Sequence, residues 1–368
     1  MDAYSFRSSL LGFTLLAAAC GNSESIDAVE TARPPITNYT RQTNGTGIHI
    51  ASTQPESWLG LSATSTAWFS NGFAQRADGS WVATGWYSID LLLISADAAV
   101  VSAQVGGTPY TLAAIRTTGS QLSLDLRDSQ GRLQTLAGAS LVGVTLQLAV
   151  PDQLGITTSR YNLRISSTTP IDSQFGDVAG YQIDYQPIAL LPGSWSSYCK
   201  GSDGSSQRAV FYQGSQWNPL NAARTDGENL VTMTCESGSV AKCLRGGYRP
   251  WGSGSDGKGN TVSLADHHQA CIHMKRASYC GNSTSYTIDG TALFLRDQLN
   301  PAIWAGSLDT VEAQWTPTGA TCISNRRHPE LPFLGCAQPL PPRPTTLSAS
   351  ALIASGLATD GALLSVRD

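Results

Sequence analysis

Charge is scarce in this chain, and cysteine is missing from the whole stretch between Cys20 and Cys199. Charged residues make up 14% of the 368 positions, 23 basic against 27 acidic, for a net charge of −4. The densest basic groups are pairs such as Lys275-Arg276 and Arg326-Arg327. A phosphate-reading surface needs a longer stripe, so nucleic acid is excluded as a partner and these pairs read as solvated faces. No Gly-x-Ser-x-Gly elbow of a serine hydrolase is present, and no loop has the acidic ligand spacing of a calcium site. No cofactor is expected. Apart from an apolar run near the N-terminus, which is itself too short to span a bilayer, no segment is a candidate membrane helix. No internal repeat stands out.

What is present begins with that run. Arg7 precedes the apolar residues 10–19, which end at Ala17-Ala18-Ala19-Cys20-Gly21. A short apolar core followed by small residues reads as an export signal. Small residues directly before a cysteine resemble the lipobox of bacterial lipoproteins, in which the cysteine is acylated and becomes the first mature residue. That resemblance implies a leader over residues 1–19, lipidation at Cys20 and, with Gly21 following, attachment to the outer membrane on its periplasmic or cell-surface face. Residues 20–46 are polar and contain Pro34-Pro35, the composition of a flexible lipid-anchored tether.

From residue 47 to 192 the pattern is that of half-buried antiparallel strands. Leu122, Leu124 and Leu126 alternate with polar residues, as do Val144, Leu146, Leu148 and Val150. Tyr161, Leu163 and Ile165 form a third set, and Tyr181, Ile183 and Tyr185 a fourth. Period-two alternation broken by Gly, Asp and Ser predicts a mainly β chain, with an N-terminal antiparallel β-sandwich or barrel-like domain. Asp78-Gly79 and Asn71-Gly72 are candidate tight turns. Near Pro192 the composition changes. Residues 193–336 carry Cys199, Cys235, Cys243, Cys271, Cys280, Cys322 and Cys336. They are expected to form a cysteine-rich, disulfide-stabilised β-rich (α+β) domain with a short helix. All seven are disulfide candidates, and the odd number means that one thiol is free, that one pairs between chains, or that Cys20 is not the lipidated residue. Residues 337–368 read as a Pro-rich segment and tail.

The second half resembles the ADYC domain family of bacterial, myxobacterial-type lipoproteins. The residues that carry the resemblance start with Trp195 and Cys199, then Thr234-Cys235 and Lys242-Cys243, running into Gly247-Tyr248-Arg249-Pro250-Trp251. They continue through Ala270-Cys271, Met274 to Gly281, Thr287-Ile288-Asp289-Gly290-Thr291 and Gly319-Ala320-Thr321-Cys322. The naming tetrapeptide reads Ala277-Ser278-Tyr279-Cys280, with Ser in place of Asp. The resemblance implies a lipoprotein with a β-rich first half and a cysteine-rich second half, and it brings no activity.

The densest reactive cluster is Asp266-His267-His268-Gln269-Ala270-Cys271-Ile272-His273. On a helix His267 and His268 lie four and three residues from Cys271, so each pair can share a face. The plain reading is a short helix carrying a disulfide. The alternatives are a metal held by His267, His268, Cys271 and His273, or a thiol nucleophile at Cys271 or Cys280 beside an imidazole. No catalytic residue is assigned. Of the nine tryptophans, Trp251, with its neighbour Tyr248 beside the glycine-rich loop 252–260, is the best candidate for stacking on a ligand. The reading favours a non-catalytic binding or structural module of the envelope. Its partners are the membrane through the lipid and a surface glycan or envelope protein. The rival is an enzyme, thiol-based or metal-dependent, that uses the stretch from His267 to Cys280.

Overall fold

The computed structural model describes residues 68–69, 72–88, 96–151, 158–171, 178–188, 193–201, 204–217, 223–255, 261–282, 284–297, 311–333, 335–336 and 363–367. The expected leader and tether, with Cys20, and nearly all of the Pro-rich tail lie outside the described residues, as do Asn71 and most of the glycine-rich loop.

The chain is mainly β. Its strands are β1 (Trp68–Phe69), β2 (Gly72–Gln75), β3 (Trp81–Ser88), β4 (Ala96–Val105), β5 (Thr108–Thr118), β6 (Gln121–Arg127) and β7 (Leu133–Ala137). Then come β8 (Thr145–Pro151), β9 (Thr158–Thr168), β10 (Tyr181–Pro187), β11 (Ser196–Ser197), β12 (Cys199–Lys200), β13 (Ser206–Gln207), β14 (Ala209–Trp217) and β15 (Arg224–Cys235). Helix α1 (Ser239–Arg245), β16 (Ser253–Ser255), β17 (Thr261–Ser263) and helix α2 (Leu264–Arg276) follow. The last strands are β18 (Leu293–Arg296), β19 (Val311–Thr316), β20 (Gly319–Ile323) and β21 (Leu363–Arg367).

Eight strands close into an antiparallel barrel in the order β3-β2-β15-β14-β10-β9-β8-β4, with β4 returning to β3. The alternation seen in the sequence is the inward face of its staves. Leu146, Leu148 and Val150 of β8, Tyr161, Leu163 and Ile165 of β9, and Tyr181, Ile183 and Tyr185 of β10 are all buried in one core. Asp78-Gly79 is the turn between β2 and β3, where Asp78 accepts hydrogen bonds from the Ser80 amide and hydroxyl. Strand β2 lies so close to β15 that a Cβ on Gly72 would sit 1.9 Å from the Val231 carbonyl oxygen, and Gly72 has φ +138°.

The Leu122, Leu124, Leu126 set has a different place. β5, β6 and β7 form a flap that leaves the barrel at β4, taking from Ala103 onward the same edge that β4 gives to β3 near Ala98. The flap sends Ile115 and its three leucines into the barrel core. The Tyr181 hydroxyl donates to the Ser120 carbonyl (3.4 Å) and accepts from the Leu122 amide (2.7 Å), which fastens the flap. The barrel is therefore filled by side chains, with a wholly apolar cavity of about 20 Å³ among Phe73, Ile115, Leu124, Leu163 and Phe211. That is room for roughly one water molecule.

The compositional change near residue 192 falls within the barrel sheet, because β14 and β15 are two of its staves. β14 also explains where the second core sits. Ala209 and Phe211 face the barrel interior, while Val210 and Tyr212 face outward into a second cluster. A bulge between Gln213 and Gly214 shifts the register and brings Trp217 to the same outer side. Against this wall pack α1, α2 and a four-stranded antiparallel sheet in the order β18-β21-β19-β20. Three disulfides join Cys199 to Cys235, Cys243 to Cys271 and Cys280 to Cys336. The seventh cysteine, Cys322, is a buried thiol.

Candidate functional site

The reactive stretch does form a helix. Ser263 caps α2 by accepting from the Ala265 amide (3.2 Å), and Asp266 in the first turn suits the positive end of the helix dipole. Every residue of α2 from His267 to Arg276 is buried, polar ones included. The helix lies between β14, α1 and the four-stranded sheet, so beyond its first turn it has no solvent face.

That placement decides what its side chains do. Cys271 is disulfide-bonded to Cys243 of α1, and Cys280 to Cys336, so neither sulfur is a thiol. His268 sets Nε2 3.1 Å from the Val240 carbonyl and packs edge-on against Trp217 and Tyr212. His273 sets Nε2 3.1 Å from the Pro317 carbonyl and 3.0 Å from the Gln269 amide nitrogen. His267 directs Nδ1 toward Ser263 O (3.3 Å) and stacks parallel on Tyr248. Burial pushes His268 down to about 3 and His273 down to about 4, so both rings are neutral at neutral pH. The three imidazoles and Cys271 do not converge, and no group of three or more His, Cys, Asp or Glu among the described residues is arranged to hold a metal ion.

The naming tetrapeptide is structural in the same way. α2 ends at Ala277, whose φ of 49° turns the chain. The Ser278 hydroxyl donates to the Asn282 carbonyl (2.6 Å) in the following loop. The Tyr279 ring stacks on Trp315, and its hydroxyl donates to Glu312 Oε1 (2.7 Å) while accepting from the Arg327 amide (2.8 Å). Glu312 Oε2 accepts from Arg327 Nη2 (3.0 Å) and from the Ser365 hydroxyl (2.9 Å). Arg327 also donates to the Met274 and Lys275 carbonyls at the end of α2. One buried ion pair thus ties α2, β19, β21 and the loop after β20 together.

The two aromatic candidates separate. Tyr248 is buried, with its hydroxyl on Asp297, so it offers no face to a ligand. Trp251 is 40% exposed. It lies beside Tyr212 and over Gly119, at the tip of the β5–β6 hairpin.

The basic pairs are the feature that sequence reasoning misplaced. Lys275, Arg276 and Arg327 were expected on solvated faces and are buried, together with Lys242 and Arg245 of α1. Hydropathy assigns charge to water. It carries no signal that the last turns of α2 are enclosed or that Arg327 is paired with a buried Glu312.

A model of the ADYC domain matches residues 138–329, just over half of the chain. The match begins ahead of the cysteines and takes in five barrel staves, β8, β9, β10, β14 and β15, with both helices. No curated protein and no solved structure matches the chain. With the tetrapeptide, the helix it terminates and the surrounding fold all inside the matched stretch, the chain belongs to the ADYC domain family.

Proposed function

We propose that this is an exported, lipid-anchored protein of the cell envelope that works by binding, with the surface around Trp251 presented to a glycan. The observation that carries the non-catalytic part is the state of residues 267–280. Both candidate nucleophiles are half-cystines, and the imidazoles beside them are buried against carbonyl oxygens. Three disulfides suit an oxidising compartment, and the anchor rests on the leader-like residues 1–19 and the lipobox-like Cys20. Trp251 supports the glycan because a half-exposed indole offers a flat apolar face on which a sugar ring stacks.

The test pairs two variants of the full chain. Cys20→Ala should abolish labelling by palmitate and release the protein from the membrane fraction. Trp251→Ala should remove binding to envelope glycans while leaving the melting temperature within a few degrees of the parent. Glycan binding that survives Trp251→Ala rejects the glycan reading, as does capture of an envelope protein with no glycan bound. Hydrolysis or thiol transfer by the purified protein rejects the non-catalytic one.

A further inference from the structure

The flap of β5, β6 and β7 leaves and rejoins the barrel through glycines. Gly106 and Gly107, with φ 57° and 84°, form the two-residue turn between β4 and β5. Gly138 and Gly143, also at positive φ, lie on the return to β8. A Cβ on any of the four would meet nothing within 4 Å, so the root of the flap is uncrowded at both ends. Pairing holds β5 to β4 at Ala103, Gln104 and Val105, just past the place where β4 parts from β3. The far end is held by polar contacts. Besides the two bonds of the Tyr181 hydroxyl, the Ala179 amide donates to the Ser120 hydroxyl (2.9 Å) and the Gln213 amide to Thr117 Oγ1 (2.8 Å). Trp81 Nε1 donates to the Ala113 carbonyl (3.1 Å) across the seam between β3 and β5.

Between this root and this latch everything is apolar. Ile115, Leu122, Leu124 and Leu126 reach from the flap into the barrel core. The apolar cavity lies at that seam, between flap side chains and Phe73, Leu163, Ile183 and Phe211 of the staves. The interior of an eight-stranded barrel is wide enough for its own side chains or for one small ligand. Here much of the filling comes from a segment that is not a stave and whose departure leaves the ring of strands closed. Its four side chains together carry as many carbons as a palmitoyl chain. We propose that the flap is a lid and that the barrel binds one saturated acyl chain, which takes the place of Ile115, Leu122, Leu124 and Leu126 when the latch opens. One aliphatic filling then replaces another, and the staves stay as dry as before. The apolar lining answers no headgroup, which stays at the mouth in water. This site is independent of the Trp251 surface and of the glycan reading.

Calorimetric titration of the full chain with saturated fatty acids from decanoate to stearate, each below its micelle concentration, tests the proposal. One palmitate should bind per chain. Affinity should rise about fourfold per methylene along the series and level off once the chain fills the barrel. Titration with 1-palmitoyl lysophosphatidylcholine separates the sources. Binding of the lysolipid in preference to palmitate identifies the chain of a membrane lipid, and the reverse identifies a free fatty acid. Tyr181→Phe removes both bonds of its hydroxyl and should take up the chain several-fold faster in stopped flow. Thr117→Val, which frees the Gln213 amide, should act in the same direction and serves if Tyr181→Phe does not fold. A parent that binds neither lipid saturably overturns the proposal. So does an affinity that climbs without levelling, or latch variants that take up the chain at the parent's rate.

Discussion

Lowering the pH from 7 to 5 should destabilise this fold through two histidines. His268 and His273 ionise in the unfolded chain near 6.5, and burial holds them at about 3 and about 4 in the folded one. A base whose folded value is depressed is protonated more readily by the unfolded chain. Its contribution is therefore fully present above pH 6.5 and is lost as the pH falls toward the folded value. At pH 5 each ring is almost entirely charged when unfolded and almost entirely neutral when folded, which costs about 2 kcal/mol per ring relative to pH 7. Together they amount to about 4 kcal/mol, a large share of the 5–15 kcal/mol typical of a domain. Asp78 and Asp128 lie below the ordinary carboxylate value, held there chiefly by hydrogen bonds from Ser80 and Arg132, so they weaken only in stronger acid. Lys242, depressed mainly by burial to about 8, is charged in both states across this window. The assay is urea unfolding followed by tryptophan fluorescence at pH 7, 6 and 5 in one salt. Lys275, which burial holds well below the ordinary lysine value, adds to the slope in the same direction wherever its folded amine is neutral, so the decisive quantity is a difference. His268→Phe keeps a ring against Trp217 and should reduce the loss between pH 7 and 5 by about 2 kcal/mol. A parent whose stability is flat over this range, or a variant with an unchanged slope, refutes the reasoning.

Removing one member of the buried ion pair is expected to be severe: Glu312→Gln leaves Arg327 uncompensated and should cost about 3–5 kcal/mol by chemical denaturation. Adding Arg327→Met to it should recover part of that loss, and a neutral single variant would contradict the network. Deleting residues 363–367 removes the strand between β18 and β19 together with the Ser365 bond to Glu312. Limited proteolysis should then cut within residues 264–323 while the barrel resists, and an unchanged digest would show β21 to be dispensable. Gly72→Ala places a Cβ against the Val231 carbonyl at a φ that L-residues avoid, so it should cost at least about 2 kcal/mol. Gly79→Ala, with open space around its Cβ, should cost less, and the reverse order would argue against the close approach of β2 to β15.

Much of the barrel was legible because period-two alternation reports directly which side of a strand is buried. Alternation does not report which strand is the neighbour. Leu122, Leu124 and Leu126 read like staves and belong to a flap whose leucines fill the barrel they adjoin. The change of composition at residue 192 was real but marked only where cysteines begin, since β14 and β15 are held in the sheet by pairing partners far away in sequence. The odd cysteine count left open a free thiol, a bridge between chains or a misplaced lipid, and the fold leaves Cys322 outside the three disulfides. The pairs themselves depend on helix packing that spacing does not encode. The enclosure of α2 was illegible for a related reason. Its burial comes from three separate elements, and Lys275 and Arg276 are charged residues that sequence reasoning gives to water.

The claim at the centre is that residues 267–280 are structural, and peptide mapping of the native, non-reduced protein by mass spectrometry tests it most directly. The expected result is Cys199 linked to Cys235, Cys243 to Cys271 and Cys280 to Cys336, with Cys322 alkylated only after denaturation. Alkylation of Cys271 or Cys280 in the native protein would contradict it and restore an enzyme that uses this stretch.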